Sequence, residues 1–240
     1  MDTDWERVAK SASAACLVVA AVGFRCAAVE ATVLSSLSRD LDRNGVVERV
    51  SITCERFENG HPMGGEIVVS RETGRKERVL WRQRKLNPWK LDIGDVDGDA
   101  KSEVVVGVWK KSRYDPVFAK RVFVYSWNGK RLLPKWLGSR LSRRFTDFVL
   151  CPLDGDGKTE LVAMEEAPRA GKYLTVYRWN AFGFDWVGRA GPIRDVKSIR
   201  AQPGRVAAET KRAAYSLKLV KGQVKVTRIS EAKGEKRIRQ

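Results

Sequence analysis

The chain has 240 residues, of which 43% are hydrophobic and 31% are charged, and its formal net charge is +17. This balance is typical of a globular chain and excludes an intrinsically disordered one, and the length allows one domain or two small ones. The excess of Lys and Arg favours an anionic neighbour, such as an acidic glycan, a phosphate polymer or a membrane surface; a simply solvated basic surface is the alternative.

An apolar segment, SASAACLVVAAVGF at 11–24, lies near the N-terminus. Its length matches the hydrophobic part of a signal peptide and is short for a membrane span. Small residues around Ala28 and Ala31 offer cleavage sites, but acids among the first residues offset the positive charge that usually precedes such a segment. We expect residues 1–31 to be a signal peptide, with an uncleaved anchor as the alternative, and the protein to be secreted or held in the cell envelope.

Short alternating segments follow, each typical of a β-strand. TVLSSLS, PWKLDIG and FTDFVLC are single strands, and three hairpin patterns lie at 67–81, 123–138 and 175–188. In the hairpins a turn such as Asn-Gly or Thr-Gly interrupts apolar residues of period two. The last two hairpins match closely: Trp127 corresponds to Trp179, and Trp136 corresponds to Trp186. We expect these aromatic residues to pack in the core rather than to form a carbohydrate-stacking surface.

Acidic stretches recur in step with the hairpins. DLDRNGVVE begins at Asp40, DVDGDAKSE begins 55 residues later at Asp95, and PLDGDGKTE begins a further 57 residues on at Pro152. Each unit therefore consists of a strand, an acidic loop, a strand and a hairpin. A fourth unit, 193–229, keeps the strand rhythm but has AQPG in place of the loop. Four-stranded units at this period predict an all-β, propeller-like array of about four four-stranded blades.

Loop 1 (40–48) and loop 2 (95–103) place oxygen donors at positions 1, 3, 5 and 9, and loop 3 (152–160) does so at positions 3, 5 and 9. Such donors can converge on one point, and hard oxygen ligands without thiol or imidazole select Ca²⁺ over zinc or copper. Polar turns without metal are the alternative, above all in loop 3, where Pro152 replaces the first acid. The candidate ligands are Asp40, Asp42, Asn44 and Glu48; Asp95, Asp97, Asp99 and Glu103; and Asp154, Asp156 and Glu160.

The loops begin like an EF-hand, but the residue at position 12 is Ser51 or Val106 rather than Glu, and strands flank both loops. The nine-residue spacing between strands resembles the FG-GAP (VCBS-like) repeats of integrin α chains and of many exported bacterial proteins. That resemblance implies a β-propeller with calcium in loops between blade strands. Loop 2 departs from the repeat at Ala100, where glycine is usual, and the fourth unit lacks the loop.

The sequence favours a non-enzymatic role, a calcium-stabilised binding or scaffold module at the cell surface. Its single histidine, His61, lies in a Gly/Pro-rich stretch typical of a surface turn, and we identify no zinc ligands or phosphate-binding loop. The alternatives are a polysaccharide lyase or hydrolase on a propeller scaffold, and a membrane-tethered envelope component if 11–24 is retained. The expected partners are an anionic glycan, a cell-wall polymer or a protein ligand. Export argues against nucleic acid.

The expected organisation is a signal peptide or anchor (1–31), an FG-GAP-like propeller domain (32–229) and a basic tail (230–240). Residues 189–240 contain fifteen Lys or Arg and four Asp or Glu, which indicates either an electrostatic anchor or a solvated tail. Cleavage would leave Cys54 and Cys151, which we expect to be buried thiols, although export would permit a disulfide. Four blades could close into a ring, form an open arc or complete a larger ring with a second chain.

Overall fold

Period-two apolar residues bounded by Gly, Asn and Pro fold into strands throughout the described part of the chain. The computed structural model describes residues 31–74, 76–138 and 140–231, and all the regular secondary structure in these ranges consists of β-strands. Within them no helix is long and apolar enough to cross a membrane. The predicted signal segment and most of the predicted basic tail lie outside the described residues, and so do residues 75 and 139.

The strands form four antiparallel sheets of four strands each. In sheet 1 the order is β1 (Thr32–Arg39), β2 (Glu48–Cys54), β5 (Glu66–Thr73) and β6 (Lys76–Arg84). Sheet 2 contains β7 (Pro88–Gly94), β8 (Glu103–Ser112), β9 (Asp115–Trp127) and β10 (Leu132–Leu137). Sheet 3 contains β11 (Phe145–Cys151), β12 (Glu160–Glu166), β13 (Lys172–Asn180) and β14 (Gly183–Ile193). Sheet 4 contains β15 (Val196–Gln202), β16 (Arg205–Thr210), β17 (Ala213–Val220) and β18 (Gln223–Glu231).

Each sheet is built in chain order, so that neighbouring strands are joined by tight turns or, between the first and second strands of sheets 1, 2 and 3, by the acidic loops. Sheet 1 alone has an insertion, the two-stranded ribbon β3 (Arg56–Glu58) and β4 (His61–Met63), between its second and third strands. The predicted single strands are confirmed as β1, β7 and β11, and the three hairpins as β5–β6, β9–β10 and β13–β14. The ribbon was not expected, and it places His61 in a strand rather than in a simple turn.

Three apolar layers separate the four sheets. The first joins sheets 1 and 2, for example through Ile52 and Val106. The second joins sheets 2 and 3, and the third joins sheets 3 and 4. Sheets 2 and 3 are therefore covered on both faces, which explains the uninterrupted apolar runs VVV in β8 and LVAM in β12. No fourth buried apolar layer joins sheet 4 to sheet 1 within the ranges described. The fold is all-β and propeller-like.

The aromatic residues of the two matching hairpins behave differently. Trp127 and Trp179 are buried in the layers between sheets, as expected. Trp186 is 52% exposed, although its counterpart Trp136 packs against the layer between sheets 2 and 3. Trp186 pairs with Tyr177 beside an irregularity in the β13–β14 register, and β14 is the edge strand of its sheet. The prediction of a core position is therefore wrong for this residue.

Candidate functional site

The three acidic loops lie side by side at one end of the sheets. Each connects the first strand of its sheet to the second, so that β1, β7 and β11 each lead directly into a loop. The Ser102 amide in loop 2 donates a hydrogen bond to the Leu41 carbonyl of loop 1, at 2.9 Å. The Thr159 amide in loop 3 donates to the Asp95 carbonyl of loop 2, at 2.8 Å. Backbone hydrogen bonds thus join the loops into one continuous acidic row.

Carboxylates converge within each loop. In every case three acids each offer an oxygen, and these oxygens lie within 4.8 Å of one another. The converging groups are Asp40, Asp42 and Glu48; Asp95, Asp97 and Asp99; and Asp154, Asp156 and Glu160. The structure therefore brings together most of the predicted ligands. Asn44 turns to its own loop, where its Oδ1 accepts the Val46 amide at 2.8 Å.

The acid at position 1 shapes the loop through the backbone. In loop 1, Asp40 accepts the amides of Asn44 and Gly45 at 3.1 and 2.8 Å. In loop 2, Asp95 accepts those of Gly98 and Ala100 at 2.6 and 2.7 Å. Each aspartate thereby stabilises a tight turn, since it satisfies amides that no strand partner can reach. Loop 3 lacks this support because it begins with proline.

The glutamate at position 9 is fully buried in all three loops. Glu48, Glu103 and Glu160 have residue exposures of 0%, 1% and 0%. Each begins the second strand of its sheet, and one Oε accepts the amide of the residue at position 2 of the same loop. Those three hydrogen bonds measure 3.2, 3.1 and 2.9 Å. The buried glutamate thus joins the end of each loop to its beginning through this hydrogen bond.

A basic side chain faces the other Oε of each buried glutamate. Arg71 on β5 lies 2.6 Å from Glu48, Lys135 on β10 lies 2.8 Å from Glu103, and Arg178 on β13 lies 3.0 Å from Glu160. Two of these cations also bind the acid at position 3. Lys135 bonds Asp97, and Arg178 bonds Asp154. Sequence reasoning missed all three cations because they come from strands remote from the loops.

Burial and pairing shift the acids in opposite directions. Burial raises the pKa of Glu103 and of Glu160, although the hydrogen bonds and cations around them oppose this shift. Burial also acts to raise the pKa of Asp97, but the hydrogen bond and charge of Lys135 together with backbone hydrogen bonds outweigh it, so that the pKa lies below its usual value. Lys135 itself is stabilised as an ammonium, because its two acidic partners outweigh the effect of burial and raise its pKa.

The donor set fits a divalent cation in loops 1 and 2. In each of these loops three carboxylates converge but only one basic side chain faces them, so negative charge is in excess. In loop 1, Oδ1 of Asp42 is buried and has no hydrogen-bond partner. A cation bound at this oxygen would satisfy it. In loop 3, Arg178 contacts two of the three converging acids, which leaves fewer free oxygens.

His61 lies at the opposite end of the sheets from the acidic row. Its imidazole stacks on Trp109, with ring centroids 3.6 Å apart and an interplanar angle of 3°. Burial and the charge of Lys120 lower its pKa. Asn87 fixes this arrangement, since it accepts the Gly64 amide at 3.0 Å and donates to the Trp109 carbonyl at 3.2 Å. The imidazole is thus held in a fixed position against Trp109 at the protein surface.

Both described cysteines are free thiols. Cys54 and Cys151 are buried, which confirms the expectation of two thiols rather than a bridge. Burial raises the pKa of both. Cys151 lies against sheet 4, where its Sγ is 3.3 Å from the Gln202 carbonyl and 3.2 Å from that of Arg205.

Comparison with known proteins assigns no family. No family model matches the chain, and no curated protein does. Among solved structures, Sqt1 of Saccharomyces cerevisiae is similar with a TM-score of 0.46 and 13% sequence identity, over 78% of this chain and 48% of that chain. The chain spans about half the length of that protein. A likeness at this level assigns neither family nor function, and the resemblance to FG-GAP repeats stays a prediction.

Proposed function

We propose that the protein is a calcium-stabilised, non-enzymatic binding module made of four propeller-type blades of the FG-GAP kind. The observation that carries this proposal is the row of three loops with converging carboxylates, repeated in three successive sheets. Repetition at equivalent positions supports a shared structural task rather than a single reactive centre. Calcium is the ion that such all-oxygen loops select.

Calcium would be held by different oxygens in the first two loops. In loop 1 the ligands would be Asp40, Asp42 and Glu48. Oδ1 of Asp42, which is buried and accepts no hydrogen bond, would coordinate the ion. In loop 2 they would be Asp95, Asp97 and Asp99, whose oxygens converge, and Asp97 would be shared between the ion and Lys135. The ion would offset repulsion between the acids and stiffen the row.

Calorimetric titration with calcium tests this proposal, with EDTA-treated protein as the starting material. We expect binding with a dissociation constant on the order of 10⁻⁴–10⁻³ M, the range of extracellular calcium modules, and a rise in melting temperature at millimolar calcium. Asp42→Asn and Asp99→Asn each remove one charge from a loop. Asp99 is exposed, and asparagine can still accept the Lys101 amide that its Oδ1 accepts at 2.8 Å.

Asp195→Asn is the matched control. Asp195 is exposed, far along the chain from the loops, and its positive φ of 57° is one that asparagine tolerates. Loss of calcium affinity in the loop variants but not in this control supports the assignment. No heat of binding, together with an unchanged melting temperature in calcium and in EDTA, rules it out.

A binding role rather than catalysis is supported by how the acids are used. The three buried glutamates are bound by a backbone amide and a cation, so their oxygens support the fold. His61 is stacked on Trp109. The alternative, a lyase or hydrolase, predicts that a bound glycan becomes shorter, and a chain-length assay after long incubation separates the two functions.

We also propose that the protein is exported, on the strength of the apolar segment 11–24. Export supplies calcium at the concentration that such loops need. Mass spectrometry of the N-terminus of the protein recovered outside the cell would show cleavage near Ala31. An intact N-terminus on membrane-bound protein would favour the anchor instead.

A further inference from the structure

A basic cleft lies between sheets 2 and 3, at the end of the sheets opposite the acidic row. It consists of two adjoining hollows of about 180 and 250 Å³, which share Ala119, Lys120, Arg144 and Phe145. The start of β9 forms one wall, and the segment that leads into β11 forms the other. None of the predicted metal ligands lines it.

Lys120 lies where the two hollows meet and is held in place. Its Nζ donates a hydrogen bond to the Thr146 carbonyl at 2.6 Å and lies 4.0 Å from the centroid of the Trp89 ring. Burial lowers its pKa, and although Asp147 and Glu166 oppose this shift, the nearby Lys172 and Lys90 add to it. The ammonium is therefore ordered in a site where positive charge is in excess, which an incoming anion would relieve.

The neighbouring ion pairs do not cancel that charge. Asp115 faces two guanidinium groups, with Arg140 at 2.8 Å and the buried Arg121 at 3.1 Å. Both hold the pKa of the Asp115 carboxyl well below its usual value, Arg140 more strongly. This carboxylate is thus shared by two guanidinium groups and pairs with none of Lys120, Arg143 and Arg144. On the far wall, Glu166 pairs with Lys172 at 3.6 Å.

Two further arginines add to this excess. Arg143 lies 5.7 Å from the centroid of the Tyr173 ring, and Arg144 is exposed at the join of the hollows. Arg143 and Arg144 present two adjacent guanidinium groups, each able to bind a carboxylate through two parallel N–H bonds, beside Arg140, which already binds Asp115 in this way. This spacing suits an anion repeated along a chain.

The remaining walls are apolar, but their ring faces are largely taken. The ring of Trp109 stacks with those of His61 and Phe118, at centroid distances of 3.6 and 6.1 Å. Lys111 lies over the ring of Phe118, and Arg113 over that of the exposed Tyr114. Single-stranded nucleic acid needs free aromatic faces on which bases stack. The cleft instead offers apolar edges, such as Val117 and Leu141, beside cations.

We propose that this cleft binds a linear acidic polysaccharide. Sugar carboxylates pair with Lys120, Arg143 and Arg144, and the apolar walls contact the C–H faces of the sugar rings. The inference rests on the proposed role as a binding module and gives that module a ligand class and a site. It does not depend on the calcium loops, which lie at the other end of the sheets.

Binding of an oligogalacturonate to the full chain, measured by calorimetry in EDTA and again in calcium, tests the proposal. The fully methyl-esterified oligomer has the same rings without charge and is the ligand control. We expect measurable binding of the acidic oligomer only, weakened by added salt. Arg143→Gln combined with Arg144→Gln should weaken it by at least about tenfold, and Lys120→Gln should weaken it similarly.

Lys218→Gln combined with Lys225→Gln is the matched protein control, since both residues are exposed on sheet 4 and the charge change is the same. Each variant is compared only if its melting temperature matches the parent. An equal loss in this control would mean diffuse charge attraction and would overturn the site. Tighter binding of a single-stranded DNA oligomer or of anionic lipid vesicles through the same arginines would overturn the ligand class.

The same samples separate this inference from the proposed function. Binding in EDTA that depends on Arg143 and Arg144 supports the cleft whether or not calcium binds. Shortening of the oligogalacturonate, with the dependence on these arginines retained, would support the site and overturn the non-enzymatic role. Absence of binding in both buffers overturns the cleft and leaves the calcium titration to decide the loops.

Discussion

Lys135 Nζ lies 2.8 Å from Oε1 of the buried Glu103 and also bonds Asp97, so that a lysine bridges two acids of loop 2. Arg178 bridges Asp154 and Glu160 of loop 3 in the same way. A chain this basic therefore balances part of each acidic cluster from within. In loop 2 the buried Glu103 thus faces the protein's own cation, whereas Asp95 and Asp99 have no such partner among the described residues.

Removing the lysine should destabilise the protein. Lys135→Met keeps most of the side-chain length but leaves Glu103, whose side chain is only 2% exposed, without its cation. We expect the free energy of unfolding in calcium-free buffer to fall by about 1–3 kcal/mol, because a buried carboxylate is then unbalanced. Urea unfolding measures this. Lys130→Met, in the exposed β9–β10 turn, should change stability by less than about 0.5 kcal/mol, and an equal loss in both would contradict the bridge.

Calcium should matter more to the lysine variant than to the parent. Without Lys135 the carboxylate of Asp97 is free, and loop 2 carries one more unbalanced negative charge. We expect millimolar calcium to raise the melting temperature of Lys135→Met by more than that of the parent. The two rises, each measured against EDTA, give the comparison; equal rises would show that lysine and metal do not share the loop.

Asp115 should make the protein sensitive to acid. Arg140 and Arg121 hold its pKa below the ordinary aspartate value of about 3.9, so its contribution to stability is present above that pH and is lost as pH falls below it. Asp115→Asn should therefore be less stable than the parent at neutral pH, and the difference should shrink below about pH 4. Urea unfolding across pH 2–7 measures it, with Asp195→Asn as the control. A difference that does not vary with pH would disprove this account.

Gly107 should tolerate no side chain. A Cβ at this buried position on β8 would lie 2.6 Å from Cε2 of Trp89 and 2.9 Å from Cε1 of Phe148. We expect Gly107→Ala to cost about 1–3 kcal/mol through overpacking between sheets 2 and 3. Adding Trp89→Phe, which shortens the ring, should restore part of the loss. Additive losses in the double variant would show that the clash is relieved elsewhere.

The two buried thiols should be unreactive in the folded protein. Cys54 and Cys151 are 1% and 0% exposed, and burial raises the pKa of both, which lowers the thiolate fraction. In a Cys16→Ser, Cys26→Ser background, Ellman's reagent should label neither until denaturant is added and both afterwards. Rapid labelling of either thiol in the native protein would contradict this prediction, and labelling of Cys151 in particular would mean that the layer between sheets 3 and 4 opens readily.

The strands and acidic loops could be predicted because their signals are local. Period-two patterning, turn residues and carboxylate spacing all lie within a few residues of each other. The cations facing Glu48, Glu103 and Glu160 stand 23, 32 and 18 residues away, on strands whose register only the folded sheets define. The β3–β4 ribbon escaped prediction because three-residue strands carry too little periodicity to detect.

The three apolar layers give the array two ends, since sheets 1 and 4 each pack on a single neighbour in the described ranges. Coupling between adjacent units then passes stepwise along the stack. We therefore expect sheets 2 and 3, which pack on both faces, to exchange their amide protons last, and local unfolding to begin in sheets 1 and 4. Local stability thus differs from sheet to sheet. The acidic row and the basic cleft both cross the boundary between sheets 2 and 3, where we expect it to be highest.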